Sequence, residues 1–349
     1  MATLTDASIV FKKVSKILVI LLSFSLALII FLVFGKSIRD QIFPPVAPPA
    51  TVAFGKLPEM DLLSGFRPQA ISYSIDTVSG ELPALQPMAK VFAVEQPKVQ
   101  FGDLERAKKN AQRVGFTIEP EQITPTKVKF TDPKNKQRTL TIETSTGNLV
   151  LESNWASDFK IITGRIRDDH VGSNEAREFF LGFGISREEF PDQNLQTIKY
   201  RVDAGKLTEV PTISQANLIK VIFKRADLDK LPILPEKEDD ATIWALVSNN
   251  EVVAASLVNT KILRFKFATY PLKGVTKAFE DLKAQKAVFN NQDFSKNYTG
   301  KLAIKDISLG YIESKITAPY IQPVYLFKGN DFVAYVPAVS DAWVKKEEP

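Results

Sequence analysis

Apolar residues run from Ile17 to Phe34 with no charge, no proline and only Ser23 and Ser25 as polar interruptions. A helix of that length rises roughly 27 Å, close to the ~30 Å hydrocarbon core of a bilayer, and in lipid only a helix satisfies its own backbone polar groups. A buried core helix would show a polar stripe at helical spacing, so the pattern predicts a transmembrane helix. Lys12, Lys13 and Lys16 precede the run, and Lys36 and Arg39 beside Asp40 follow it. That bias places the N-terminus in the cytoplasm and the bulk of the chain outside. A cleaved signal peptide shares the outline, but Phe31-Leu32-Val33-Phe34-Gly35-Lys36 lacks the small-x-small pattern a peptidase reads, which favours an uncleaved signal anchor.

Past the run, Pro44-Pro45-Val46-Ala47-Pro48-Pro49-Ala50 predicts an extended polyproline spacer. Ala70 to Ile75 alternates weakly and reads as one edge strand. Asp103 is a candidate N-cap for a helix with Leu104, Ala107, Ala111 and Val114 on one face and Gly115 at its end. A hairpin follows at Arg138–Leu151, turning at Ser145-Thr146-Gly147-Asn148. A second helix is expected over Asn174–Phe183 behind Ser173. Hairpins follow at Thr197–Val210, turning at Asp203-Ala204-Gly205, and at Thr242–Leu257, turning at Asn249-Asn250. The third helix, Val275–Ala284, carries Val275, Ala278, Phe279 and Leu282 on one face and precedes a hairpin at Pro323–Val339 that turns at Lys328–Asp331.

Helices each followed by antiparallel strands imply an α+β fold, in which helix-on-meander modules follow the anchor. The expected layout is a cytoplasmic tail 1–16, an anchor 17–34, a spacer 35–60, a first module 61–165 and a second region 166–345 of one or two modules. Lys224 to Asp240 breaks the pattern, with prolines around Leu231–Leu234 and then Glu236-Lys237-Glu238-Asp239-Asp240, and reads as a surface loop.

Composition narrows the chemistry. The net charge is +5, of which +2 precedes the anchor, leaving too mild a surplus for a nucleic-acid surface. The absence of cysteine excludes disulfides, thiolate catalysis and Cys-ligated zinc, and fits a bacterial cell envelope better than a eukaryotic secretory route. His170, the sole histidine, follows Arg167-Asp168-Asp169; as a general base it would need an orienting carboxylate, and the plainer reading is a loop histidine before a helix. Leu181-Gly182-Phe183-Gly184 lacks the third glycine of a phosphate cradle and reads as a helix end. Asn297-Tyr298-Thr299 matches a glycosylation acceptor, a pattern common by chance. Glu188-Glu189 and Asp239-Asp240 are adjacent, so their side chains diverge. No catalytic residue, cofactor site or metal site is expected.

The C-terminal aromatics carry the remaining signal. Val324 and Leu326 alternate with Tyr325 and Phe327, so the last hairpin is apolar on both faces and needs cover on both. One cover is expected from the helix around Phe279 and Leu282; the other is the preceding module or a partner laid against Tyr311, Tyr320, Tyr325, Phe327 and Tyr335.

The order of Ala278-Phe279-Glu280-Asp281-Leu282-Lys283, Ile304 to Tyr311, Tyr320 to Phe327 and Phe332 to Val336 resembles the C-terminal part of the YycH/YycI group. That resemblance implies PepSY-like α+β modules in a bitopic envelope protein that restrains a sensor histidine kinase through membrane helices, and it carries no site residue across. The expectation is therefore a non-enzymatic, single-pass membrane protein whose extracytoplasmic domain binds or regulates a membrane or envelope partner. The alternatives are an assembly component of an envelope or secretion complex and an envelope hydrolase using His170 or a carboxylate pair.

Overall fold

The computed structural model describes residues 16–18, 21–25, 49–60, 72–166, 168–236, 241–249, 251–258, 260–290, 300–314, 318–330 and 332–345. The chain divides into two compact units, Met1–Pro49 and Ala50–Pro349. In the first, residues 16–18 and 21–25 are helical with exposed side chains, and Ser25 Oγ donates to the Leu22 carbonyl at 3.0 Å. Among the described residues no helix is long and apolar enough to cross a membrane. The expected anchor at Ile17–Phe34, and the single-pass cell-membrane localisation drawn from it, are corrected on that finding. The rest of that stretch, and Pro44 to Pro48 of the spacer, lie outside the described residues.

The second unit is mostly β. Its largest element is an antiparallel sheet of nine strands, in the order Glu121–Thr124, Lys127–Thr131, Thr139–Glu143, Leu149–Glu152, Glu251–Leu257, Ile243–Ser248, Leu218–Phe223, Leu195–Asp203 and Lys206–Glu209. The expected hairpins are all within it or in the C-terminal sheet, but the expected separate helix-on-meander modules are not. Leu149, Val150 and Leu151 pair with Leu257, Ser256 and Ala255, which joins the strands on either side of residue 165 into one sheet. The physical reason is the edge: an unpaired strand bares a row of N–H and carbonyl groups, and pairing two edges satisfies both.

Helices α1 (Asp103–Arg113) and α3 (Asp169–Leu181), with the single turn α2 (Phe159–Thr163) between them in the chain, precede the two halves of this sheet. Ala107 and Ala111 of α1 and Ala176, Phe179 and Phe180 of α3 share one buried cluster with Phe130, Leu140, Ile142, Val221 and Ala245 of the sheet, so both helices cover the same face. Burying a side chain such as Phe180 stabilises by about 1.5–3 kcal/mol. α1 is capped by Gly102 at φ 93°, with the Asp103 carboxylate accepting from Gln100 N–H at 2.7 Å and from Arg106 Nη1 at 2.9 Å. α3 starts five residues before the predicted Asn174, because Asp168 rather than Ser173 caps it by accepting the His170 N–H at 2.9 Å.

The C-terminal part holds a five-stranded sheet in the order Ile233–Pro235, Asp306–Glu313, Pro323–Lys328, Val333–Pro337 and Val288–Phe289. Its first pair is parallel and the rest are antiparallel. Helix α4 (Val275–Lys283) lays Val275, Ala278 and Leu282 on Tyr325, Phe327, Ala334 and Val336, with the Phe279 and Phe327 rings 6.2 Å apart. On the opposite side Val324, Leu326 and Tyr335 pack with Met60 and Leu234. Ser72–Ile75 pairs in parallel with Lys301–Ile304, and a three-stranded sheet, Ile262–Pro271, Met88–Val94 and Tyr320–Ile321, flanks the five-stranded one. The described part, 224–236, of the expected surface loop is instead threaded into this core: Arg225, Leu228 and Ile233 are buried, and Ile233–Pro235 is a strand.

Candidate functional site

Arg225 follows the strand Leu218–Phe223 and carries a side chain with 0% exposure. A bare guanidinium buried so deeply would be prohibitive, and its charge is met by carboxylates and by an aromatic ring. Nη2 donates to Glu313 Oε1 at 2.7 Å and to the Thr260 carbonyl at 3.0 Å, Nη1 pairs with Glu189, and the guanidinium lies 4.5 Å from the Phe190 ring centre. Thr242 Oγ1 donates to the second Glu313 oxygen at 3.2 Å. The Glu313 side chain is 7% exposed. One cation is thus shared between two carboxylates, which leaves this group of residues one negative charge in excess.

Glu313 and Thr260, both held by Arg225, line a cavity of about 210 Å³. Its other walls are mostly apolar, with Met60, Val94, Ile312, Pro319, Tyr320 and Ile321, and it is bordered by Glu59 and Gln322. Gln322 is fixed by donating Nε2 to the Pro58 carbonyl at 2.9 Å, and Tyr320 stacks on Phe54 at 4.8 Å. Nearby, burial raises the Tyr311 hydroxyl well above the usual tyrosine range, with the charge of Asp229 acting the same way, so it stays a neutral donor to the Lys90 carbonyl at 2.8 Å. A small cavity with apolar walls and a buried carboxylate at one side can take a cationic head group carried on a short apolar body.

A second cavity, of about 590 Å³, is lined by Glu59, Lys273, Asp281, Lys286 and Asp341 among others. Here Lys273 Nζ bridges Asp281 at 2.9 Å and Asp341 at 3.2 Å, and Lys286 reaches Asp281 at 3.2 Å. Burial alone would raise the Asp281 carboxyl, but the hydrogen bonds and charges of Lys273 and Lys286 outweigh it and hold the group below the usual carboxylate range. The arrangement ties α4 to the C-terminal segment. Among the described residues no cluster of three or more His, Asp or Glu is placed to hold a metal ion.

The aromatic residues singled out from the sequence do not form one surface. Tyr311, Tyr325, Phe327 and Tyr335 are buried, and Tyr320, half-buried, lines the smaller cavity. His170 sits exposed in the first turn of α3 and lines neither cavity. Glu189 is engaged by Arg225, Gly184 ends the α3 region at φ 84°, and Asn297 to Thr299 and Asp239-Asp240 lie outside the described residues. Sequence reasoning missed Arg225 and Glu313. The available signal was a charged residue close behind an apolar strand: Glu313 directly after Leu309 to Ile312, and Arg225 two positions after Phe223.

No family model and no curated protein matches this chain. Among solved structures, the crystal structure of an uncharacterized protein from Eubacterium rectale is similar at a TM-score of 0.40 and 11% identity, over 80% of this chain and 91% of that one. That likeness is too remote to carry an argument about fold or function. The envelope and regulatory roles expected for this chain, with their PepSY-like and YycI-like modules, rested on the anchor and the module order; with both corrected they lose their support.

Proposed function

We propose that the chain is a non-enzymatic binding module whose ligand bears a primary ammonium or guanidinium group on a short apolar body. The observation that carries this reading is the cavity beside Glu313, where a single buried guanidinium is divided between two carboxylates and the remaining walls are apolar. A ligand cation there restores the charge balance, and its hydrocarbon displaces water from Val94, Ile312 and Ile321. The ring of Tyr320 at the same cavity adds an attractive wall for a cation.

Titration calorimetry on the purified chain with butylammonium, butanol and butanoate tests this. Butylammonium is expected to bind, and the neutral and anionic analogues of the same length to bind at least about tenfold more weakly. Glu313→Gln keeps the shape and leaves Arg225 paired with Glu189, and it is expected to weaken butylammonium binding by about tenfold. Equal binding of the alcohol, or an unaltered affinity in Glu313→Gln, overturns the proposal.

A further inference from the structure

The cavity beside Glu313 has a second carboxylate on its wall. Among its described lining residues the charged ones are Glu313 and Glu59, and neither is a cation. Their settings differ: the Glu313 side chain is 7% exposed, whereas Glu59 is exposed, so one carboxylate lies at depth and the other on the solvent side. Arg225, divided between Glu189 and Glu313, leaves one negative charge unmatched there. Glu59 adds another. It also borders the larger cavity, but in that cavity Lys273 is held by Asp281 and Asp341 and Lys286 by Asp281, and among the described residues no ion pair reaches Glu59.

Glu59 is held in position by its neighbours along the chain. Leu57 is fully buried; its N–H donates to the Trp343 carbonyl at 2.8 Å, and its carbonyl accepts from the Lys345 N–H at 2.7 Å. The Pro58 carbonyl accepts from Gln322 Nε2 at 2.9 Å. Beyond Glu59, Met60 packs against the cluster that contains Ile312, Val324 and Leu326. Met60 and Ile312 are the chain neighbours of the two carboxylates, so their shared packing brings Glu59 and Glu313 to one apolar space and fixes the backbone at both.

We propose that the ligand of this cavity is a linear diamine with an ammonium at each end, one end at Glu313 and the other at Glu59, its methylene chain lying along Met60, Ile312 and Ile321. This inference rests on the cation-binding reading of the Glu313 cavity and specifies the ligand class of that same site. Two unmatched carboxylates call for a dication, and the apolar wall between them suits hydrocarbon better than the oxygen ligands and waters that a hard metal ion requires. Among the described residues no group of three or more His, Asp or Glu is placed to hold such an ion.

Titration calorimetry on the purified chain tests this by comparing the terminal diamines of butane, pentane and hexane with the monoamines of the same length. At least one diamine is expected to bind about fivefold or more tightly than its monoamine, the gain from an ion pair at a partly solvated mouth and more than the roughly twofold that two equivalent ends give by themselves. Glu59→Gln, at an exposed side chain, is expected to bring that ratio down to about twofold. Magnesium ion at the diamine's own concentration is expected to leave its binding unaltered. A ratio of no more than about twofold for every length, a ratio that Glu59→Gln does not change, or displacement by magnesium ion overturns the inference. In each of those cases a bound monoamine leaves the cation-binding reading standing; if neither monoamines nor diamines bind, both fail together.

Discussion

At Asp281 two effects oppose each other on one buried carboxylate. Burial disfavours its charge, whereas Lys273 at 2.9 Å and Lys286 at 3.2 Å favour it and prevail, so its folded pKa lies below its unfolded one. The stability it contributes is therefore present above the unfolded value of about 4 and is lost as pH falls through the lower folded value. Asp132 has the same sign: burial raises its pKa, and the Lys134 N–H at 2.7 Å with Arg138 at 2.8 Å lowers it further. Asp281→Asn leaves Lys273, itself nearly buried, without its main partner. It is expected to lower stability at neutral pH by about 3 kcal/mol and to flatten the acid side of the stability profile. Denaturant melts of both proteins across the acid range check this; parallel profiles would mean that the ion pair contributes nothing.

Among the elements, α1 and α4 were legible because each is amphipathic, and α1 is followed by Gly115, whose φ of 95° suits the exit from a helix. α3 was legible only in part. Its start depends on Asp168 accepting the His170 N–H, a competition with Ser173 that local pattern does not resolve, and it includes Gly172, which ordinarily argues against a helix interior. The sheet explains that glycine. A Cβ at Gly172 would lie 3.1 Å from Ile219 Cδ1 and 3.3 Å from Ile219 Cβ, so the residue marks where α3 comes closest to the strand Leu218–Phe223. In an exposed helix Gly→Ala would stabilise by about 1 kcal/mol. Here Gly172→Ala is expected to destabilise by about 1 kcal/mol instead, because a branched, fully buried side chain must shift. A higher melting temperature for the variant would show that the helix–sheet gap yields. The strands Met88–Val94 and Leu218–Phe223 escaped the sequence reading for a different reason: both are nearly continuous apolar runs, and the period-two signal vanishes when both faces are covered.

For the whole molecule, the decisive contact is the pairing of Leu149–Glu152 with Glu251–Leu257. A division near residue 165 cuts between these strands. A fragment covering residues 166–349 is expected to lack a cooperative thermal transition, because it bares the edge of Glu251–Leu257 and half of the shared α1–α3 core. A sharp two-state melt of that fragment would show that the second half folds by itself. The candidate site belongs to this scale as well. Arg225 and Glu313 stand 88 residues apart, and their contact exists only because the nine-stranded and five-stranded sheets are brought together at that point.

The sequence alone determined what depends on neighbours within a few positions: the amphipathic faces of α1 and α4, the hairpin turning at Ala204-Gly205 and the pairing of Ile243–Ser248 with Glu251–Leu257, and the two-faced apolar character of Pro323–Lys328. Only the tertiary structure decided which edges join, which charges are buried and where a cavity remains. Edge pairing uses backbone groups that every residue carries, so side-chain pattern does not specify it. Burial of Arg225 depends on counter-charges distant in the chain, so a segment that looks like a solvated loop became the bridge between two sheets.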